Sequence, residues 1–476
     1  MNIDPTQVRH IHLIGICGTA MGSLAGMLKS RGYRVTGSDV NVYPPMSDQL
    51  AALGIEIRQG YLPEHLDPAP DLVVIGNVVS RGNPEGDAVL ARGLPYQSMV
   101  ETLRTFFFAD KTLIAMCGTH GKTTSTAMLA QVLNAAEVDP TYLIGGVLEN
   151  TQASYRVGNG AWALVEGDEY DVAWFDKAPK FLRYRPDVAA VGNIEFDHAD
   201  IYPDLDSIVR VFGELIETLP REGLLIAGVD CPRVRSLLPR ASCPVVTYGL
   251  DHPADLSARL VAGPAMHTTF DLLEHGSPTA RFTMNQFGRY NLLNALGVIA
   301  AARRVGLRDE QIAAGLQSFA GAKRRQQVLG EAGGVLVIDD FAHHPTAVRV
   351  TLEALREARP ERRLVAVFEP RTNTSRRRIF QEEYARAFGA AAAVIICEVF
   401  AKHGRLPADK LDVAALVGQI GRNGTTAIYA ENYDDVSAAL AAMVQQGDQL
   451  VFLSNGGFGN LPRKTLAGLQ RKADQT

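Results

Sequence analysis

A buried strand that runs directly into a glycine-rich turn and then a helix constrains this chain more than any other feature. Residues 111–117, KTLIAMC, form a short apolar run of strand character. CGTHGKTT overlaps its end, from Cys117 to Thr124, and Met128, Leu129, Val132 and Leu133 then share one helical face. Gly118 and Gly121 admit backbone conformations that a Cβ obstructs, so successive N–H groups can point into one concavity. The helix N-terminus adds its positive dipole end, which suits an anion. Lys122 is placed to reach the β- and γ-phosphates of a nucleoside triphosphate, and the Thr123 hydroxyl to ligate Mg²⁺. The generic pattern GxxxxGK[ST] is incomplete, because Met116 stands where its first glycine belongs. An ordinary strand–turn–helix corner with a solvated lysine is the plainer alternative; the context favours ATP or GTP.

The 476 residues make room for roughly three domains at about 100–200 residues each. Runs 10–17, 33–39 and 71–76 read as strands, and Leu24, Met27 and Leu28 lie on one face of the helix between the first two. The phosphate-loop strand opens a second series, continued at 161–165, 188–193 and 224–227, and 267–284 reads as a hairpin around Gly276–Ser277. A third series follows at 335–339, 364–368, 394–397, 426–429 and 449–453. The pattern predicts α/β domains with mainly parallel sheets, over 1–108, 109–328 and 329–476.

Composition narrows the function. With 46% apolar and 21% charged residues the chain is a folding one. Forty-seven Lys and Arg against 52 Asp and Glu leave a net charge of −5, so no overall basic field exists to hold nucleic acid or an anionic membrane. The cysteines, Cys17, Cys117, Cys231, Cys243 and Cys397, are scattered and form no CxxC pair, which argues against a disulfide framework or zinc knuckle and for a reducing compartment. The longest apolar run, 387–397, is far short of the roughly 18 residues that a membrane span needs. No basic start followed by an apolar stretch marks a secretory signal, so a cytoplasmic location is expected.

Two acidic clusters follow strands of the nucleotide domain. VEGDEYD carries Glu166, Asp168, Glu169 and Asp171; GNIEFDHAD carries Glu195, Asp197, His198 and Asp200. Either alone reads as a solvated loop, whereas together at the carboxyl ends of one sheet they are candidate metal sites. Near the N-terminus Gly15, Gly18 and Gly22 give GxxGxxxG, with Asp39 ending the second strand. This departs from GxGxxG, and NAD, another nucleoside diphosphate and glycines needed only for packing all remain open. Asp39 is placed to accept hydrogen bonds from a ribose or base.

CGTHGKTT, NIEFDH, GRYNLLNALG (288–297) and DDFAHHP (339–345) occur together and in order, and over essentially the whole chain the sequence resembles the Mur ligase family, the ATP-dependent amide-forming enzymes of peptidoglycan assembly. The resemblance implies a UDP-binding Rossmann-like domain, a central P-loop ATPase domain and a Rossmann-like C-terminal domain that brings the amine. It implies ATP and Mg²⁺ as cofactors and UDP-N-acetylmuramate as the acid. GICGTAMG, GSDVNVYPPMS, GNVVSRGNPE, EGDEYDVAWFDK, FEPRTNTSRRR and SNGGFGN resemble the branch whose amine is the murein tripeptide L-alanyl-γ-D-glutamyl-meso-diaminopimelate; free L-alanine is the alternative.

Carried over position by position, Gly118, Thr119, His120, Gly121, Lys122, Thr123 and Thr124 cradle the nucleotide, and Lys122 is catalytic. Thr123, Glu166 and His198 match metal ligands, and Asn294 matches the residue that reads adenine, with Asn291 one helical turn earlier. Arg325, Asp340 and His344 fall where the linker and third domain close over the nucleotide, with His198 and Arg325 also in catalytic positions. Gly15, Cys17, Gly18, Thr19, Ser38 and Asp39 belong to the sugar-nucleotide turn. Tyr290 stands where the family usually has histidine, and no lysine occurs between Lys180 and Lys323, so a carbamylated lysine after His198 is ruled out.

Amide formation needs an activated carboxylate. Phosphoryl transfer to the lactyl carboxylate makes an acyl phosphate, which a neutral amine attacks, with Lys122 and Mg²⁺ offsetting the repulsion between two anions. Arg371, with Asn373 and Ser375 beside it, follows a strand of the third domain and suits carboxylate recognition on the peptide. An NAD-dependent dehydrogenase and a P-loop switch protein are the competing classes. The first is disfavoured by the broken GxGxxG, the second by a third α/β domain for which it has no use.

Overall fold

The computed structural model describes residues 3–42, 46–261, 267–401 and 406–474; positions 43–45 of the GSDVNVYPPMS stretch lie outside them. The first sheet is parallel throughout, in the order Glu56–Gln59, Arg34–Asp39, His10–Ile14, Leu72–Ile75, Tyr96–Ser98. The chain leaves the central strand to one side and later returns to the other, so the carboxyl end of His10–Ile14 is a topological switch point where a ligand crevice opens. The glycine turn sits there and starts the helix Thr19–Ser30, whose Leu24, Met27 and Leu28 are fully buried against the sheet.

The central sheet has ten strands, in the order Ser277–Met284, Thr268–Glu274, Leu256–Val261, Val245–Tyr248, Leu224–Gly228, Val188–Val191, Thr112–Cys117, Trp162–Gly167, Thr141–Leu143, Tyr155–Arg156. Its middle is parallel and its margins antiparallel. Thr112–Cys117 is flanked by strands that follow it on opposite sides, a second switch point, and the helix Lys122–Ala135 leaves from it. The expected face of that helix, Met128, Leu129, Val132 and Leu133, is buried without remainder. The hairpin pairs Glu274 with Ser277 across its turn.

The third sheet runs Gln327–Ala332, Val335–Asp340, Asp448–Leu453, Arg363–Phe368, Ala393–Cys397, Thr426–Ala430, parallel except for its first strand. Gln327, which opens it, lies next to the expected boundary at 328. The fold is α/β with three mostly parallel sheets, as the alternation of strands and helices predicts. All five cysteines are free thiols. Among the described residues no helix is long and apolar enough to cross a membrane.

The first two domains are joined by close contacts. Ser23 Oγ meets Ser154 Oγ at 2.7 Å, and the Tyr155 ring occupies the space that a side chain at Gly26 would need. A hairpin of the central domain, Asp171–Ala173 with Asp176–Pro179, leans on the first domain. There Phe175 meets Tyr96 edge to face at 5.1 Å.

A buried polar knot lies beneath the glycine turn. Glu85, with no exposed surface, binds His12 Nε2 at 2.8 Å through Oε1 and accepts Ser38 Oγ at 2.6 Å through Oε2. His12 Nδ1 meets Thr36 Oγ1 at 2.8 Å. Glu85 lies in the first turn of the helix Pro84–Ala91. A glutamate sealed between that helix and the sheet persists only because its oxygens are satisfied, and removing it strands His12 and Ser38. Glu85→Ala is expected to destabilise the first domain by about 3 kcal/mol or more. Urea unfolding followed by a first-domain probe checks this; a change below about 0.5 kcal/mol contradicts it.

Candidate active site

The loop after Thr112–Cys117 is built around two glycines in the left-handed region, Gly118 at φ +131° and Gly121 at φ +83°. A Cβ on Gly118 would stand 3.0 Å from the Asn193 carbonyl, and one on Gly121 2.5 Å from Asn294 Oδ1. The loop thus presses against the next parallel strand on one side and against the helix Arg289–Val305 on the other. Asn193 pins it, its Oδ1 accepting His120 N at 2.8 Å and its carbonyl accepting Thr119 N at 3.1 Å. Gly121 caps Lys122–Ala135 with no side-chain acceptor on the first-turn N–H groups, which leaves them available to a phosphate.

Lys122 Nζ donates to Glu169 Oε2 and to the Gly118 carbonyl, each at 2.8 Å. Burial disfavours its charge, but the Glu169 and Asp168 carboxylates outweigh that and hold the ammonium above its ordinary range. Burial would raise the Glu169 carboxyl; Lys122 and His198 prevail and bring it to about 2. His198 Nε2 lies 3.2 Å from Glu169 Oε1, so one buried carboxylate ties the phosphate-loop lysine to the imidazole. His198 itself is held at φ +53°.

Thr123 Oγ1 donates to Glu166 Oε2 at 2.9 Å, and Glu166 Oε1 takes Gly145 N at 2.6 Å. Burial first, and then the Asp168 charge, push the Glu166 carboxyl up, a situation that a divalent cation relieves. A hydroxyl beside a carboxylate at the mouth of a phosphate loop is a hard-oxygen donor set, and it fits Mg²⁺. The third expected ligand is placed differently: His198 stands on Glu169 and not beside Glu166.

His120, Glu195 and His344 bring their ligand atoms within 4.8 Å of one another, a cluster that the sequence does not announce. Its hydrogen bonds describe a latch between domains. His344 Nδ1 accepts Thr346 N at 3.2 Å, so the ring proton is on Nε2, which faces the Phe196 carbonyl at 3.1 Å. Burial, with His120 adding to it, lowers His344 to about 4, in keeping with that neutral form. Glu195 Oε2 takes Thr346 Oγ1 at 2.6 Å and His120 Nε2 at 3.2 Å. His344, expected over the nucleotide, caps its own helix Pro345–Ala358 through Nδ1 and meets the central domain through Nε2.

Arg325 does cross the interface. Its Nη2 lies 3.1 Å from Thr123 Oγ1, and its guanidinium stacks over Phe341 at 4.5 Å. Asp340 lies between the domains with both oxygens on backbone N–H groups, Gln326 at 2.6 Å and Ala342 at 2.7 Å. Asn294 Nδ2 reaches Asn291 Oδ1 at 3.3 Å, which sets the asparagine pair beside the loop.

These groups line one cavity of about 1270 Å³ shared by all three domains. That exceeds the roughly 300–1,000 Å³ typical of a single small-molecule pocket, and leaves room for more than one substrate. At its first-domain end stand Cys17, Gly18 and Asp39, with Val40, Asn41 and Val78 from the quoted motifs and Tyr61, which belongs to none. Asp39 also shapes the turn, its oxygens taking Cys17 N and Asn41 N, both at 2.9 Å. Ser38 is buried on Glu85, and its carbonyl accepts Gly15 N at 2.8 Å. Neither Gly15 nor Thr19 lines the cavity; Thr19 opens the helix that points at it.

At the third-domain end Arg371 and Asn373 line the same cavity. The Arg371 guanidinium lies 3.7 Å above the Phe400 ring and 3.5 Å from Glu369 Oε1. Asn373 Nδ2 donates to Asp200 Oδ2 at 2.7 Å, bridging to the central domain. Ser375 is buried and accepts Arg371 N at 3.0 Å and Thr372 N at 2.9 Å. It fixes the loop and does not face a ligand.

A phosphate-type loop with its lysine, the Thr123–Glu166 oxygen pair and Arg371 around one crevice suit the class of ATP-dependent ligases. Family models agree along the chain: the Mur ligase family catalytic domain over 10–109, the Mur ligase middle domain over 116–302 and the Mur ligase glutamate ligase domain over 324–456. The chain belongs to the Mur ligase family. It is 39% identical over 466 residues to the UDP-N-acetylmuramate–L-alanyl-gamma-D-glutamyl-meso-2,6-diaminoheptandioate ligase of Haemophilus influenzae, covering 98% of this chain and 100% of that one. It is 36% identical over 470 residues to the UDP-N-acetylmuramate–L-alanine ligase of Halorhodospira halophila, covering 97% and 94%. Among solved structures it is similar to a murein peptide ligase from Psychrobacter arcticus, with 35% identity, a TM-score of 0.73 and coverage of 97% and 99%.

Two outcomes test this geometry. Gly121→Ala places a methyl against Asn294 in a backbone conformation hostile to alanine, and is expected to weaken ATP binding at least about tenfold by calorimetry, since ~1.4 kcal/mol suffices; unchanged affinity contradicts the loop assignment. His344 has a depressed folded-state pKa, so its contribution is present above 6.5 and lost as pH falls from 6.5 towards about 4. The stability gap between the wild type and His344→Gln is therefore expected to narrow over that window in chemical unfolding, and a constant gap contradicts the latch.

Proposed function

We propose that this enzyme joins the α-amine of L-alanyl-γ-D-glutamyl-meso-diaminopimelate to the lactyl carboxylate of UDP-N-acetylmuramate, converting ATP to ADP and phosphate, in the recycling of murein peptides. The observation that carries the reading is Arg371: a guanidinium held by Phe400 and Glu369 on the wall of the cavity that contains Lys122. A peptide bearing several carboxylates has use for such a group, whereas free alanine offers one. The relatives named for the tripeptide support the same choice, and free L-alanine is the second reading.

When bound, ATP supplies the phosphoryl group that activates the carboxylate, and Mg²⁺ on Thr123 and Glu166 supplies charge neutralisation. This chain's own residues do the positioning. The loop N–H groups and Lys122 hold the phosphates, and Lys122 has Glu169 behind it, so its charge is fixed in direction before any ligand arrives. Arg325 places a second cation beside Thr123 only when the third domain is docked. The UDP end lies at the first-domain turn, the amine at Arg371 with Asn373 alongside, and adenine next to Asn294. An α-amine of pKa about 7.7–8.0 is neutral often enough near pH 7 to attack without a strong dedicated base. The contacts of Glu195 with Thr346 and of His344 with the Phe196 carbonyl hold the third domain beside the crevice, where its closure would limit hydrolysis of the acyl phosphate by water.

Mass analysis of products after incubation with ATP, Mg²⁺, UDP-N-acetylmuramate and either amine is expected to show the tripeptide adduct at a rate at least about tenfold above that of the alanine adduct, a difference of ~1.4 kcal/mol. A preference for alanine overturns the substrate and keeps the ligase. Lys122→Ala is expected to lower kcat about 10²–10³-fold. Arg371→Ala is expected to raise the peptide KM about 10- to 100-fold with little change for ATP; equal changes for both would remove Arg371 from the peptide site.

A further inference from the structure

The two arginines at the start of the third domain face in different directions. Arg324 and Gln326 both have positive φ, +61° and +49°, so the chain reverses twice around Arg325. Arg325 turns towards the phosphate loop and Thr123. Arg324 turns away, into the third domain. Its Nη2 donates to the carbonyls of Ser454 and Gly456, both at 2.5 Å, its Nη1 reaches the Asn455 carbonyl at 3.5 Å, and its Nε meets Asp339 Oδ2 at 3.3 Å. One planar guanidinium thereby gathers the turn after the central strand Asp448–Leu453. Both arginines also lie over the same ring, Phe341, at 5.4 and 4.5 Å.

That turn is the floor beneath Arg371. A Cβ at Gly456 would stand 2.3 Å from Arg371 Cδ and Nε, so the arginine lies directly on the glycine. Ser454 also donates to Glu369 Oε2 at 2.5 Å, while Tyr433 donates to Glu369 Oε1 at 2.6 Å, and Glu369 is the carboxylate beside Arg371. A continuous line of contacts therefore runs from Thr123 through Arg325 and Arg324 to the 454–456 turn and on to Arg371.

We propose that Arg324 is a positioning residue that couples the nucleotide site to the amine site: it fixes the 454–456 turn, and with it the Arg371 guanidinium, in register with docking of Arg325 on the phosphate loop. This rests on the reading of Arg371 as the peptide-carboxylate residue. Gly456 is specific to the same device, because only a residue without a side chain lets Arg371 lie on the turn.

The test uses the full-length enzyme with steady-state kinetics in each substrate, together with the ratio of ADP formed to amide formed. Arg324→Lys keeps the charge but cannot fork to the turn carbonyls; Gly456→Ala leaves Arg324 intact and displaces Arg371 alone, at a backbone conformation open to alanine. Both are expected to raise the peptide KM at least fivefold, with ATP and UDP-N-acetylmuramate KM values within twofold, and to raise the ADP-to-amide ratio above that of the wild type. A merely structural role would shift all three KM values together. The coupling is overturned if Gly456→Ala leaves the peptide KM and the ratio at wild-type values, or if Arg324→Lys raises every KM equally. Arg371→Ala run alongside separates the two claims: a wild-type peptide KM in that variant refutes the reading of Arg371, whereas a raised one with unaffected Gly456→Ala refutes only the coupling.

Discussion

The arrangement depends on a buried ion pair. Lys122 stands at the positive end of a helix, among backbone N–H groups, where a second positive charge is unfavourable until an anion binds. Glu169 resolves this by sitting behind the lysine at 2.8 Å, almost wholly out of solvent. The other oxygen of the same carboxylate, Oε1, lies 3.2 Å from His198 Nε2. The lysine's charge is thus balanced and its direction set by groups of the protein itself.

Domain arrangement follows from where the sheets put their switch points. Each of the first two sheets reverses strand order at a central strand, His10–Ile14 and Thr112–Cys117, and each opens its crevice at that strand's carboxyl end. The third domain covers them through polar contacts of modest size: Thr346 on Glu195, Asn373 on Asp200, Arg377 on the Ala199 carbonyl at 2.9 Å. Phe196 of the central domain also meets Phe380 edge to face at 6.2 Å, so the interface is part apolar.

Much of this was legible in the sequence, for reasons that can be named. Long apolar strands such as Asp448–Leu453 and helices with a continuous buried face show their period directly. Other strands do not: Thr141–Leu143 and Tyr155–Arg156 span too few residues to show alternation, and Leu256–Val261 carries the polar Ser257 and Arg259 and is largely unburied. The phosphate loop was readable because its chemistry is local, with Gly118, Gly121, Lys122 and Thr123 within seven positions of Cys117. Ser38, Ser375 and His344 show where locality fails. Each lies in a motif whose other residues line the cavity, but each is the motif's inward residue, and its hydrogen bonds are set by Glu85, by the Arg371 loop and by the Phe196 carbonyl. Glu85 and Phe196 are distant in sequence from Ser38 and His344, and the loop that Ser375 closes on itself has no periodic signature, so only the fold reveals these partners.

Oxygen tracing addresses the central claim most directly. With UDP-N-acetylmuramate carrying ¹⁸O in its lactyl carboxylate, the account predicts that one labelled oxygen appears in inorganic phosphate for each amide bond formed. Unlabelled phosphate, or label in AMP, would contradict activation by γ-phosphoryl transfer at Lys122.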